Sequence, residues 1–174
     1  ITGQNEEEIL QVIKNMVRTG LAEGFIVLYS REQDPVLDYL YEEGILYVLV
    51  GKAYRNVNQT IYVDNDNVLA GKETAEYLLE LGHERIAYLS GDHSLLFNND
   101  RRMGYMLALT ERGIGFLPEL CVEVPSVPEK QNEVLHALLT RTDRPTAVLV
   151  SDDILAVALE KGCMELGLSI PGDV

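Results

Sequence analysis

Tryptophan is absent from the 174 residues, cysteine occurs twice, histidine three times, and 14 Lys and Arg face 28 Asp and Glu. Each scarcity excludes something. A formal charge of -14 repels phosphate backbones, so direct nucleic-acid binding by these residues is disfavoured. Cys121 and Cys163 lie far apart without metal-type spacing, and read as inert thiols of a reduced cytoplasmic protein rather than a disulfide framework. His83, His93 and His136 never fall at paired metal spacing. No apolar run approaches the ~20 residues of a membrane span, and the first residues contain neither a basic start nor an apolar signal core. The phosphate-loop, dinucleotide and nucleophile-elbow glycine motifs are also missing, and no nucleophile with a nearby base stands out. No enzyme, cofactor, metal or membrane anchor is expected.

What is present is 47% hydrophobic residues in an alternating pattern, enough for a sizeable core without disulfides. Short apolar runs rich in β-branched residues predict strands at 25–30, 45–51, 60–64, 85–91, 120–125 and 146–151. Amphipathic stretches predict helices at 5–19, 33–43, 66–81, 99–112, 129–141 and 153–166. The fold class is α/β, with parallel sheets flanked by helices. Most of the strand runs are continuously apolar, which predicts helical cover on both faces. Asn5 is placed to cap the first helix ahead of Glu6, Glu7 and Glu8, and Asp66 or Asn65 to cap the third. Gly82, Gly113 and Gly167 are placed to end helices, and the small residues Ala70, Gly71 and Ala75 to allow close helix packing. The chain starts in a Thr2-Gly3 turn and stops after an Ile170-Pro171-Gly172-Asp173 lead-in, so both ends look cut from a longer polypeptide.

Ligands of open parallel sheets sit beyond the carboxyl ends of the strands, which directs attention to two polar segments. In 91–102, Asp100 is a plausible N-cap, and Arg101 and Arg102 would then occupy a first helical turn. The helix dipole disfavours cations there by about 0.3–1 kcal/mol each. Either a salt bridge compensates, or a guanidinium forks onto a ligand oxygen. Phe97 offers a stacking face beside it. In Ser151-Asp152-Asp153 one acid caps the helix and the other is spare to accept sugar hydroxyls; Asp153 is assigned the cap and Asp152 the ligand. Asp64-Asn65-Asp66 matches a short carboxylate metal pattern, and more simply a turn and cap. His83, beside Gly82, reads as structural.

From Val63-Asp64-Asn65-Asp66 through Leu81-Gly82-His83 to Ser90-Gly91, the sequence resembles the lactose-repressor/galactose-repressor family of bacterial transcription regulators. Arg101-Arg102-Met103-Gly104-Tyr105, Arg144-Pro145-Thr146-Ala147-Val148 and Leu166-Gly167-Leu168-Ser169-Ile170-Pro171-Gly172-Asp173-Val174 extend the likeness in order. The resemblance covers essentially the whole chain, more loosely before residue 60. It implies a two-lobed, periplasmic-binding-protein-like effector domain, here a fragment, with 1–64 in the amino-terminal lobe and 65–174 in most of the other. It also implies a ligand in the cleft between lobes, and a helix-turn-helix headpiece, absent here, as the only DNA contact.

Carried over by position, Arg101 is an effector-binding arginine. Asp152 stands where the lactose repressor has a sugar-contacting asparagine, a change that favours a neutral polyol over a phosphorylated sugar. Phe97 and Asn98 line the cleft. The helix at 153–166, with Ile154, Leu155 and Ala158, resembles one used for dimer packing. The implied protein is a cytoplasmic, non-catalytic, homodimeric sugar-responsive repressor, with maltose as the candidate effector. The alternatives are an extracytoplasmic sugar-binding protein of a transport system, a metal-dependent sugar or nucleotide enzyme using Asp64 and Asp66, and a regulator controlled by a partner protein.

Overall fold

A computed structural model describes residues 6–28 and 30–174. These form two compact units, one gathering the residues up to Asn65 with Leu95–Phe97, the other Asp66–Ser94 with Asn98–Val174. The proposed cap at Asn5 and the Tyr29 position of the first predicted strand lie outside the described residues.

The first unit runs α1 (Glu6–Arg18), β1 (Gly24–Leu28), α2 (Pro35–Glu42), β2 (Leu46–Val50) and β3 (Ile61–Val63). Its strands are parallel in the order β1-β2-β3, with Ile26 opposite Val48 and Val48 opposite Ile61. α1 begins with three glutamates and ends in Arg18, a charge order that complements its dipole. α2 starts where Asp34 accepts hydrogen bonds from the amides of Val36 (2.9 Å) and Leu37 (3.2 Å), with Pro35 in the first turn. Ile13, Val36 and Leu40 pack on Phe25, Val27 and Tyr47, so both helices share one face of the sheet.

The opposite face departs from the sequence expectation. Ile26, Leu28, Leu46, Val50, Ile61 and Val63 all share it by register, and all are exposed, Ile26 by 74%. A continuous apolar run cannot reveal this, because it is compatible with one covered face as well as two.

The second unit comprises α3 (Asn67–Glu80), β4 (Ile86–Ser90), α4 (Leu96–Glu111, joining from Asn98), β5 (Cys121–Glu123), α5 (Pro128–Leu139), β6 (Ala147–Val150) and α6 (Asp153–Glu165). The parallel sheet has the order β5-β4-β6, and every residue of β4 is buried. Successive β4 side chains serve opposite cores. Ile86 and Tyr88 join Ala75, Leu79, Tyr105, Ala108 and Leu109 of α3 and α4. Ala87 and Leu89 join Leu135, Leu138, Leu139, Leu155, Leu159 and Cys163 of α5 and α6. Leu155 is therefore a core residue, and the dimer-packing role that the resemblance suggested for it does not fit its burial.

α3 and α4 touch backbone to backbone. A Cβ added at Gly71 would lie 2.1 Å from the Arg101 carbonyl oxygen, and one at Gly104 2.0 Å from that of Val68. No side chain fits in that space. The helix ends are as read from the sequence, with Gly82, Gly113 and Gly167 at φ 93°, 70° and 69°, a region glycine enters without strain.

One boundary is corrected. α4 opens at Leu96 rather than near residue 99, so Asp100 is interior to the helix, not its cap, and Arg101 lies in the second turn. The helix dipole therefore opposes Arg101 less than it would a first-turn cation.

Candidate functional site

The carboxyl ends of β4 and β6 deliver two buried serines, Ser90 and Ser151, and the polar groups gather around them. From α4, Arg101 donates through Nε to the Asn67 side-chain oxygen (2.9 Å) and through Nη1 to the Ser151 carbonyl. Ser151 also connects to the next acid, its hydroxyl donating to Oδ2 of Asp152 at 3.0 Å. The structure therefore brings Arg101 and Asp152 to one strand end through a single serine.

The cap of α6 falls on Asp152 and not on Asp153, to which the sequence reading assigns it. Asp152 is the N-cap of α6, its extended backbone (φ -151°, ψ 166°) letting Oδ1 accept from the Leu155 amide at 2.8 Å. Asp153 sits inside the first turn and accepts only locally, from the Ile154 amide at 3.0 Å. Asp152 is half-buried, capped on one oxygen and bonded to Ser151 on the other, so its carboxylate is held in a fixed orientation.

Asn98 is buried, and its amide nitrogen donates to the Asp92 carbonyl at 2.9 Å. Its Oδ1 is enclosed and has no donor within hydrogen-bond range among the described residues. A buried acceptor left in that state costs free energy until a donor reaches it. Phe97, adjacent in sequence, groups with the first unit, whereas Arg101, Asp152 and Asn98 belong to the second.

Sequence reasoning missed Asn67 and the bridge made by His93. The imidazole Nε2 lies 2.8 Å from the Ser90 hydroxyl and Nδ1 3.3 Å from the Glu123 carboxylate. That outline matches a nucleophile, base and orienting acid. The Ser90 hydroxyl belongs to a wholly buried residue, however, and the arrangement ties the 91–94 turn to the ends of β4 and β5. Asn99 donates to the His93 carbonyl at 2.6 Å and fixes the same turn. His83 is structural, as read, bonding Thr146 at 3.0 Å.

Burial pushes the Cys121 and Cys163 thiols up. Burial also pushes up the phenols of Tyr88 and Tyr105, which stack at 5.5 Å and donate to the carbonyls of Asn98 and Ile86 at 2.9 Å. No cluster of three metal-ligating side chains exists among the described residues, and Asp66 is engaged as the α3 cap, accepting from Leu69 at 2.8 Å. A shallow, half-open cleft in the first unit is bordered by Tyr41, Tyr47, Tyr54 and Arg55. Its polar groups are largely satisfied internally, Arg55 by Asp38 (3.6 Å), Tyr47 by Thr60 (3.2 Å) and Tyr41 by Gln59. Among the described residues no helix is long and apolar enough to cross a membrane.

The family model of a periplasmic binding protein-like domain matches residues 75–174. The HTH-type transcriptional regulator AglR of Rhizobium meliloti (strain 1021) is 30% identical over 161 residues, 92% of this chain and 45% of that protein. A crystal structure assigned as the transcriptional regulator LacI from Bacillus cereus subsp. cytotoxis NVH 391-98 aligns with a TM-score of 0.92 and 36% identity, covering 100% of this chain and 62% of that one. The transcriptional regulator CelR in complex with cellobiose aligns with a TM-score of 0.82 and 26% identity, over 99% of this chain and 52% of that one. The chain spans about half the length of the curated relatives it matches.

Proposed function

This chain belongs to the periplasmic binding protein-like domain family, among regulators of the lactose-repressor/galactose-repressor type, and from that premise we propose that it senses a sugar effector for a transcriptional repressor. The observation that supports this best is the joining of Arg101 and Asp152 by Ser151 at the ends of two parallel strands. A planar guanidinium and a fixed carboxylate suit the paired hydroxyls of a pyranose. Asn98, in the same unit as Arg101 and Asp152, is a further candidate contact. The carboxylate of Asp152 selects a neutral sugar over a phosphorylated one. The structural likeness to a regulator holding cellobiose supports the same ligand class. Maltose is the finer candidate.

On this reading the chain acts in the cytoplasm, without catalysis or cofactor, and DNA is met only by a headpiece outside it. An effector that binds one arrangement of the domain more tightly than another shifts the population, and with it DNA affinity. The protein works as a homodimer. Ile154, Val157 and Met164 of α6 are 77%, 66% and 78% exposed, and at spacings of three and seven residues they form one apolar stripe suited to a second copy.

Thermal unfolding with maltose, cellobiose and a panel of other mono- and disaccharides tests the proposal. A sugar at 100 times its dissociation constant adds about 2.7 kcal/mol of stability. Arg101→Ala and Asp152→Ala should each abolish the shift. If no sugar shifts the unsubstituted protein, control belongs to a phosphorylated metabolite or a partner protein, and the sugar reading falls.

A further inference from the structure

We propose that Asn67 is a positioning residue for Arg101, and that the Gly71–Gly104 helix contact sets the distance over which it acts. The consequence for ligand binding rests on the reading of Arg101 as an effector contact; the positioning itself does not.

Asn67 opens α3 and is only 3% exposed. A buried amide at such a place needs a polar partner, and its oxygen receives the Arg101 Nε–H at 2.9 Å. The two residues are 34 apart in sequence, so their meeting is a product of helix packing. Asn67 precedes Gly71 by one turn on α3, and Arg101 precedes Gly104 by nearly one turn on α4, spacings that put each pair on one helix face. With the backbones in contact at the glycines, side chains one turn away meet at short range. Wider separation of the helices would carry the Asn67 oxygen out of reach of Nε.

The choice of Nε matters. Arginine is a long side chain with considerable rotamer freedom, and a bond at its tip leaves the plane free to turn. Here Nε is fixed by Asn67 and Nη1 by the Ser151 carbonyl, so two bonds from two elements define the guanidinium plane. An effector then meets a fork that is already oriented, and loses less entropy in ordering it. Asn67 thereby influences binding from the far side of Arg101 without needing to touch the ligand.

The test uses the full chain and reads the Arg101 side chain directly. The Nε–Hε signal of Arg101, assigned by its disappearance in Arg101→Lys, should exchange slowly with solvent. In Asn67→Leu, which keeps the volume but removes the acceptor, exchange should speed up at least about tenfold, as expected on losing a hydrogen bond to a charged group. Asn67→Asp retains an acceptor and should keep exchange slow. Asn67→Ser, polar but too short to reach, should behave like Asn67→Leu, and serves if the leucine variant does not fold.

Cellobiose titrations of the same proteins supply the second readout. Affinity should fall about tenfold in Asn67→Leu and stay within a few-fold in Asn67→Asp. Unchanged exchange in both Asn67→Leu and Asn67→Ser overturns the positioning role. Raised exchange with unchanged cellobiose affinity overturns its consequence for binding. If the unsubstituted protein ignores cellobiose and the other sugars, the sugar reading fails separately, and the exchange data still decide whether Asn67 holds Arg101.

Discussion

β1 and β4 look alike as sequence, each five residues long and mostly apolar, yet they occupy different environments. Every residue of β4 is buried, with α3 and α4 on one side and α5 and α6 on the other. β1 alternates, because α1 and α2 both pack on the Phe25 and Val27 side and leave Ile26 and Leu28 exposed. Parallel sheets are ordinarily covered on both faces. An apolar strand therefore records what a position tolerates being buried against, and the helices around it decide how many of its faces are buried.

One charge placed in each sheet should separate the two environments most strongly. Ala87→Lys puts an ammonium group into the wholly buried β4 core and should abolish cooperative folding of the second unit, as judged by circular dichroism and amide exchange. Ile26→Lys should change stability by no more than about 0.5 kcal/mol, and should lower binding of an apolar dye to the exposed face. Equal damage from both substitutions would mean that the Ile26 face is covered in solution.

Truncation asks the same question more gently. Leu135→Ala, in the α5 core, should cost about 2–5 kcal/mol in denaturant unfolding, whereas Leu28→Ala should stay within about 0.5 kcal/mol. The helix caps come next. Asp34→Ala in the first unit and Asp152→Ala in the second should each cost about 0.5–2 kcal/mol, and on the proposed function only the second should also remove the sugar response.

The smallest effects are those of acid, and they have opposite signs in the two units. Burial pushes the Asp34 carboxyl above its usual 3.8. Its contribution is present in full below that value and lost as pH rises through the folded-state pKa. Asp143 is held below 3.8 chiefly by its bond from Arg141, and Asp173 by the Ser169 amide. Their contributions are present above 3.8 and lost as pH falls through the lowered values. In urea titrations followed by amide resonances of each unit, Asp34→Asn should raise the first unit's midpoint more at pH 6 than at pH 3. Asp173→Asn should lower the second unit's midpoint more at pH 6 than at pH 3.

Elements were legible in the sequence because their signals are local. Glycine stops at 82, 113 and 167, the Asp66 cap and the β-branched runs all act within a few residues. The start of α4 was not legible, since Leu96 and Phe97 resemble loop anchors and Asn98 and Asn99 are poor helix formers. Their side chains instead bond back to the Asp92 and His93 carbonyls, closing the preceding turn. Asp152 and Asp153 could not be told apart because the cap is decided by which of two adjacent backbones is extended. At the candidate site Arg101 and Asp152 stood out as charged groups at strand ends. Asn67 did not, because its partner is brought to it only by packing of α3 on α4.

That packing has a consequence for how the gene can drift. Every single-base change that replaces glycine installs a side chain with at least a Cβ, and at positions 71 and 104 that atom would collide with main chain rather than with a side chain able to swing aside. Neither codon has a mutational neighbour that the helix pair can absorb by rotamer adjustment. A surviving lineage that loses one of these glycines should therefore also show a displaced α3 or α4, and with it a different arrangement around Arg101.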